Sequence, residues 1–151
     1  MLRQFSILLC AMLAFTACQS KKTVVDSGQV TDAQVVNLQD TKWILVELMG
    51  VPVDAAKLQK KPFLLLQSAE KRAVGTAGCN NFNGSYELEE AIQRIRFSKM
   101  ASTLMACEHM EVEAQFLELI ETVDNYSLNG NSLTLNRARM APLARFVAAT
   151  E

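Results

Sequence analysis

Apolar and polar positions alternate with a period of two through most of the chain, then switch once to the period of a helix. Residues 41–49 are rich in β-branched and aromatic side chains, and alternation puts Trp43, Leu45 and Glu47 on one face and Ile44, Val46 and Leu48 on the other. Gly50 and Pro52 end that strand. A polar connection leads to residues 62–67, too short and too uniformly apolar for a solvent-facing helix, and a turn at 68–71 joins them to a partner strand at 72–77. Residues 85–89 and 92–97 read as a further hairpin joined near Glu90 and Ala91, with Ile95 and Phe97 alternating with Arg94 and Arg96. From Cys107 to about Asp124 the period changes: Val112, Phe116, Leu119, Ile120 and Val123 form one stripe, and Glu108, Glu111 and Glu113 crowd the first turns, where the helix dipole favours acids. One amphipathic helix laid on a sheet follows from this. Strands at 126–129 and 132–136 then flank a turn at Gly130, and residues 143–148 close the chain as a last strand after Pro142.

Gly78-Cys79-Asn80, followed by Asn81, Phe82, Asn83 and Gly84, breaks this alternation. Glycine and asparagine tolerate positive φ, so the segment can make a bulge or tight crossing that a β-branched residue would refuse. It reads either as a ligand-contacting loop or as a sheet corner with Phe82 and Tyr86 packed inward, and the corner is the simpler account.

The first residues follow another pattern. Arg3 is followed by about eleven apolar positions, too few for a membrane-spanning helix of ~20 residues, which makes residues 1–17 a secretory signal. It ends in Phe15-Thr16-Ala17-Cys18, which resembles a bacterial lipobox, with Phe15 departing from the usual aliphatic residue; ordinary cleavage after Ala17 is the alternative. With the lipobox, Cys18 is the lipidation site, and two or three acyl chains give stable attachment. Gln19 after the cysteine implies onward transport to the outer membrane. Residues 18–39 lack a sustained period and read as a flexible tether, with an extra edge strand as the alternative, leaving 40–151 as one domain.

Composition narrows the function. The 151 residues carry 15 Lys or Arg against 16 Asp or Glu, a formal charge of −1 that becomes −2 once the leader and its Arg3 are removed. No basic stripe interleaved with aromatics exists, so nucleic acid is not an expected partner. Of the four cysteines, Cys79 and Cys107 lie in the body, and no C-x-x-C spacing supports zinc or thioredoxin-type chemistry. An exported domain meets an oxidising compartment, so Cys79 and Cys107 are either a bridge or two buried thiols. His109, the sole histidine, follows Cys107 by two positions; on a helix their side chains would not face each other, which argues against a thiol hydrolase. Glu89 with Glu90, and Glu111 with Glu113, read as solvated surface, not as acid/base pairs.

With these residues in view, the chain resembles the META/HslJ-like family of small bacterial envelope proteins. The resemblance rests on Trp43, Gly75, Gly78-Cys79-Asn80, Phe82, Gly84, Tyr86, Phe97, the run Met105-Ala106-Cys107, Glu111, Glu113, Phe116, Leu133 and Leu135, from about Asp40 to Val147. It implies an α+β fold: a mostly antiparallel curled sheet or partial barrel of about seven or eight strands around one helix. Family members are associated with heat shock, antibiotic tolerance and virulence without an established reaction. The expectation is therefore a non-enzymatic envelope module without a cofactor or metal, held to the membrane through Cys18 and binding a protein, peptide or lipid. A cysteine-dependent hydrolase and a small protease inhibitor are the alternatives.

Overall fold

The computed structural model describes residues 36–138 and 142–150. The expected signal, Cys18 and the tether up to residue 35 lie outside the described residues. Among the described residues ten strands form one antiparallel sheet: β1 (Lys42–Leu48), β2 (Val51–Pro52), β3 (Phe63–Gln67), β4 (Arg72–Thr76), β5 (Asn81–Glu89), β6 (Arg94–Phe97), β7 (Ala101–Ser102), β8 (Asn125–Asn129), β9 (Ser132–Asn136) and β10 (Ala144–Ala148). The order β10-β9-β8-β6-β5-β4-β3-β1 closes on itself because β10 also pairs with β1, so the sheet is a complete eight-stranded barrel. β2 and β7 are short additions, on β1 and β5 respectively.

Eight strands enclose a space that side chains can fill, and the inward positions fill it. Trp43, Leu64, Leu66, Ile95, Leu133 and Phe146 are all fully buried. The apolar run of β3 resolves into alternation, with Leu64 and Leu66 inward and Phe63 and Leu65 half-buried. The Lys42 ammonium lies 4.3 Å from the centre of the outward Phe63 ring.

β1 departs from strict alternation. Its register against β10 shifts between Leu45 and Glu47, a β-bulge at Val46 that turns Leu48 inward beside Trp43 and Leu45 instead of outward with Ile44. Residues 36–39, expected in the tether, pack onto the barrel: Leu38 is buried and its carbonyl accepts the Trp43 indole N–H at 2.9 Å.

The helix α1 spans Met110–Ile120 and starts later than the sequence pattern suggests. His109 precedes it in the left-handed region (φ 59°), so residues 107–109 lie outside the helix. Of the expected stripe Phe116, Leu119 and Ile120 are buried on the helix, Val112 is half-buried, and Val123 is buried just beyond the helix end. The Phe116 ring sits 5.4 Å from Phe82 of β5 and 6.2 Å from Phe146 of β10. β5 and β10 are four strands apart in either direction around the barrel, so Phe116 stands near the barrel axis. α1 thus plugs the barrel with its Phe116 side chain.

Candidate functional site

Of the family-like motif residues, Gly78, Cys79, Asn80, Met105 and Cys107 converge at the crossing from β4 to β5. β4 ends at Thr76 and β5 begins at Asn81, earlier than the expected Ser85, so the turn occupies residues 77–80. Gly78 takes φ +127°, where a side chain would be strained, and its carbonyl accepts the Lys60 N–H at 2.7 Å. The turn closes on the Asn80 carbonyl, which accepts from Ala77 N at 3.2 Å and from the Thr76 hydroxyl at 2.9 Å.

Asn80 is buried and uses every hydrogen-bonding group of its side chain. Its Nδ2 donates to the Met105 carbonyl at 3.0 Å and to Glu113 Oε1 at 2.6 Å. Its Oδ1 accepts from the Thr103 hydroxyl at 2.6 Å and from Met105 N at 2.8 Å. Glu113 Oε2 accepts the backbone N–H groups of Cys79 at 3.1 Å and Asn80 at 2.7 Å. Glu113 is therefore no surface acid: it is 4% exposed, and the expectation of a solvated Glu111/Glu113 pair holds for Glu111 alone. The physical reason is its place on the helix. Glu113 lies three and seven residues before Phe116 and Ile120, on the buried stripe, and one carboxylate can absorb three donors there.

Cys79 and Cys107 are joined as a disulfide with a Cα separation of 6.1 Å, across 28 residues of sequence. Cys79 is buried and Cys107 half-buried. With both sulfurs bonded, neither is a thiolate, and the Cys107/His109 arrangement has no nucleophile. The crossing, the disulfide and the segment from Thr103 to Cys107 thus form one saturated polar knot. Among the described residues no buried side-chain nitrogen or oxygen lacks a partner. What this arrangement does chemically is hold backbone in place.

The other motif residues lie along β5 and at the surface beside the disulfide. Phe82 and Tyr86 point inward, the sheet-corner arrangement. The Tyr86 hydroxyl donates to the Gln67 carbonyl at 3.1 Å and accepts from Gln39 Nε2. Burial pushes its phenol above the ordinary value, with the Gln39 bond pulling the other way. Gly84 leaves room for the sulfur of Met100, which a Cβ there would meet at 2.5 Å. Met105 and Ala106 are exposed at the surface beside the disulfide. A shallow depression of ≈ 300 Å³ adjoins them, lined by Lys57, Leu58, Gln59, Ala106, Cys107 and Glu108. A second depression, ≈ 390 Å³, lies where the chain enters the barrel, between Val36, Leu38, Glu90, Tyr126 and Leu128. Glu89 and Glu90 are exposed. Among the described residues no three His, Cys, Asp or Glu side chains group as metal ligands do.

Sequence reasoning missed Thr103 and Glu113 as partners of Asn80. The signal for Glu113 was present: an acid on the same helical face as Phe116 and Ile120 needs buried donors. For Thr103 no local pattern announces the bond, because its partner is 23 residues away.

A helix-plugged eight-stranded barrel whose β4–β5 crossing is knotted to the segment before the helix defines a small single-domain class. The chain belongs to the META domain family, whose sequence pattern matches residues 36–150. Two solved structures are similar in fold. One is an NMR structure of a protein from Burkholderia xenovorans, 24% identical, with a TM-score of 0.61 over 76% of this chain and 85% of that one. The other is a crystal structure of a DUF4847 family protein from Bacteroides vulgatus, 12% identical, with a TM-score of 0.50 over 72% of this chain and 92% of that one. No curated protein matches the sequence.

Proposed function

We propose that this META-domain protein is a lipid-anchored, non-enzymatic binding module of the bacterial cell envelope, held at the outer membrane through an acylated Cys18 and serving the response to envelope stress. The observation that carries the reading is the Cys79–Cys107 disulfide. Disulfides persist in exported proteins and are rare where glutathione and thioredoxin keep thiols reduced. The same bond removes the nucleophile that a cysteine-dependent hydrolase would use, which favours a surface that binds over a centre that reacts. A barrel interior packed with aromatic and aliphatic side chains favours recognition on the outside, through loops, over a ligand enclosed within. The Phe15-Thr16-Ala17-Cys18 run supports the anchor, and the family resemblance supports the link to heat and antibiotic stress.

The test is made in cells expressing the full chain. Labelling with an alkyne analogue of palmitate is expected to mark the wild type and not a C18A variant, and the labelled protein fractionates with outer membrane. Alkylation of the unfolded protein before and after reduction is expected to expose Cys79 and Cys107 only after reduction. An unprocessed chain in the cytosol with both thiols reactive would overturn the proposal.

A further inference from the structure

The segment from Thr103 to Cys107 combines two properties. It is held rigidly, and it presents apolar side chains to water. Leu104 is 97% exposed and Met105 46% exposed. On one side of Leu104, Thr103 is fixed by its N–H to the Asn81 carbonyl at 3.1 Å and by its hydroxyl to Asn80 Oδ1 at 2.6 Å. On the other, Met105 is fixed through both its N–H and its carbonyl to the Asn80 side chain, at 2.8 and 3.0 Å, and Cys107 by the disulfide. Among the described residues the N–H and C=O of Leu104 itself have no partner within the protein. One residue thus offers a bare apolar side chain and bare backbone groups, while its neighbours on both sides are anchored.

We propose that residues 103–107 are an inhibitory loop that enters the cleft of an extracytoplasmic serine endopeptidase as a substrate would, with Leu104 in an apolar primary specificity pocket. The proposal rests on the binding-module reading and gives that module its partner. A peptidase cleft reads what this loop shows: unpaired backbone groups by hydrogen bonds, and one side chain by a pocket. Pre-ordering lowers the entropic cost of binding, the feature that separates tight loops from flexible peptides of equal contact area. A lipid surface would take the side chains but make no use of anchored backbone on both flanks of a single residue.

The brace also explains why the partner would be inhibited instead of digesting the loop. Addition of the peptidase serine oxygen to the Leu104 carbonyl carbon breaks the Leu104–Met105 C–N bond. The serine proton passes through the enzyme's base to the Met105 nitrogen, leaving Leu104 as an ester and Met105 as an amine. In a flexible peptide that amine diffuses away and water hydrolyses the ester. Here the Asn80 bonds and the Cys79–Cys107 bond keep Met105 where it was, so the amine re-adds, the ester reverts and the serine regains its proton.

The test uses the full chain, purified from membranes in detergent with the disulfide intact, titrated against a chymotrypsin-type endopeptidase and a trypsin-type control. The wild type is expected to inhibit the first with an inhibition constant of about 10⁻⁷ M or tighter. Leu104→Asp is expected to weaken that by about 100-fold or more, as for a central anchor, with an unchanged urea midpoint. Leu104→Lys is expected to transfer inhibition to the trypsin-type enzyme. Absence of inhibition by the wild type, or inhibition indifferent to both Leu104 variants, overturns the loop assignment. A photo-crosslinking residue at 104 in intact cells separates the two levels. Capture of a peptidase supports both. Capture of another kind of protein overturns the loop proposal and leaves the binding module standing, and absence of any crosslink at 104 or elsewhere on the surface removes both.

Discussion

Replacing Glu113 by glutamine changes no volume and removes one charge, yet the hydrogen-bond map makes it a severe substitution. The carboxylate accepts from two backbone N–H groups through Oε2 and from Asn80 Nδ2 through Oε1. A glutamine amide has one acceptor oxygen. With that oxygen toward the backbone, its NH₂ faces Asn80 Nδ2, donor against donor. Asn80 cannot rotate to relieve this, because its Oδ1 is committed to Thr103 and to Met105 N. With the amide reversed, the two backbone donors are orphaned instead. A buried donor left unsatisfied costs about 1–3 kcal/mol, and bonds to a charged acceptor are the stronger kind. Glu113→Gln should therefore cost about 1.5–3 kcal/mol, and Glu113→Ala, which orphans all three donors, about 3–5 kcal/mol. Urea unfolding with the disulfide intact reads this directly. At a slope near 1.5 kcal/mol/M the midpoint falls by roughly 1–2 M for Gln and 2–3 M for Ala. Glu111→Gln, on the exposed side of the same turn, should leave the midpoint in place. Equal midpoints for Glu113→Gln and Glu111→Gln would refute the claim that Glu113 organises the crossing.

Breaking the disulfide by Cys79→Ser with Cys107→Ser releases a closure of 28 residues, worth about 3–4 kcal/mol on the chain-entropy account, so thermal melting should fall by on the order of 10–20 °C. Gly75→Ala would place a Cβ 2.0 Å from the Phe63 carbonyl oxygen, which is sheet backbone and cannot yield; a loss on the order of 3 kcal/mol or more is expected. Gly84→Ala meets the mobile end of Met100 at 2.5 Å and should cost clearly less, a ranking that a pair of urea curves checks. Asp124 is held below the usual carboxylate value of 3.8 first by the backbone N–H of Ala138, with Asn125 adding to it and desolvation opposing. A lowered folded value means that its contribution is complete above the ordinary value and is lost as pH falls below it toward the folded one, so Asp124→Asn should flatten the acid limb of a stability profile below about pH 4 and leave its neutral shape alone. An unchanged acid limb would remove Asp124 from that role.

Elements set by local pattern were legible in the sequence, and those set by distant pairing were not. The β9 bounds, the Ile95/Phe97 alternation and the helix stripe follow from periods of two and 3.6 that need no partner. Closure of the barrel needs the β1–β10 pair, which joins the two ends of the domain and leaves no trace in either strand alone. The Val46 bulge comes from that same pair, so the inward turn of Leu48 could not be read from β1. Residues 107–109 carry helix-compatible side chains but stay out of α1, because the disulfide fixes Cys107 and His109 adopts left-handed backbone. Of the site, the residues that bend the chain were visible by type, as Gly78 and Asn80. Of the residues that satisfy the bend, Glu113 carried a signal in its place on the helical face of Phe116 and Ile120, whereas Thr103, bonded to a partner 23 residues away, carried none of its own.

The two halves of the structure meet on α1. Phe116 reaches from the helix toward the barrel axis, and Glu113, one turn earlier on the same face, delivers its carboxylate to the crossing. Seating the plug and ordering residues 77–80 are consequently one packing event, since the carboxylate cannot be desolvated without the donors that only the formed crossing supplies. The same crossing supplies Asn80, and Asn80 supplies the bonds that fix Thr103 and Met105. The stiffness of the exposed loop is thereby derived from the core and not from the loop's own sequence. The Leu104 side chain, which touches nothing in the barrel, can therefore change without altering the bonds that hold Thr103 and Met105 on either side of it.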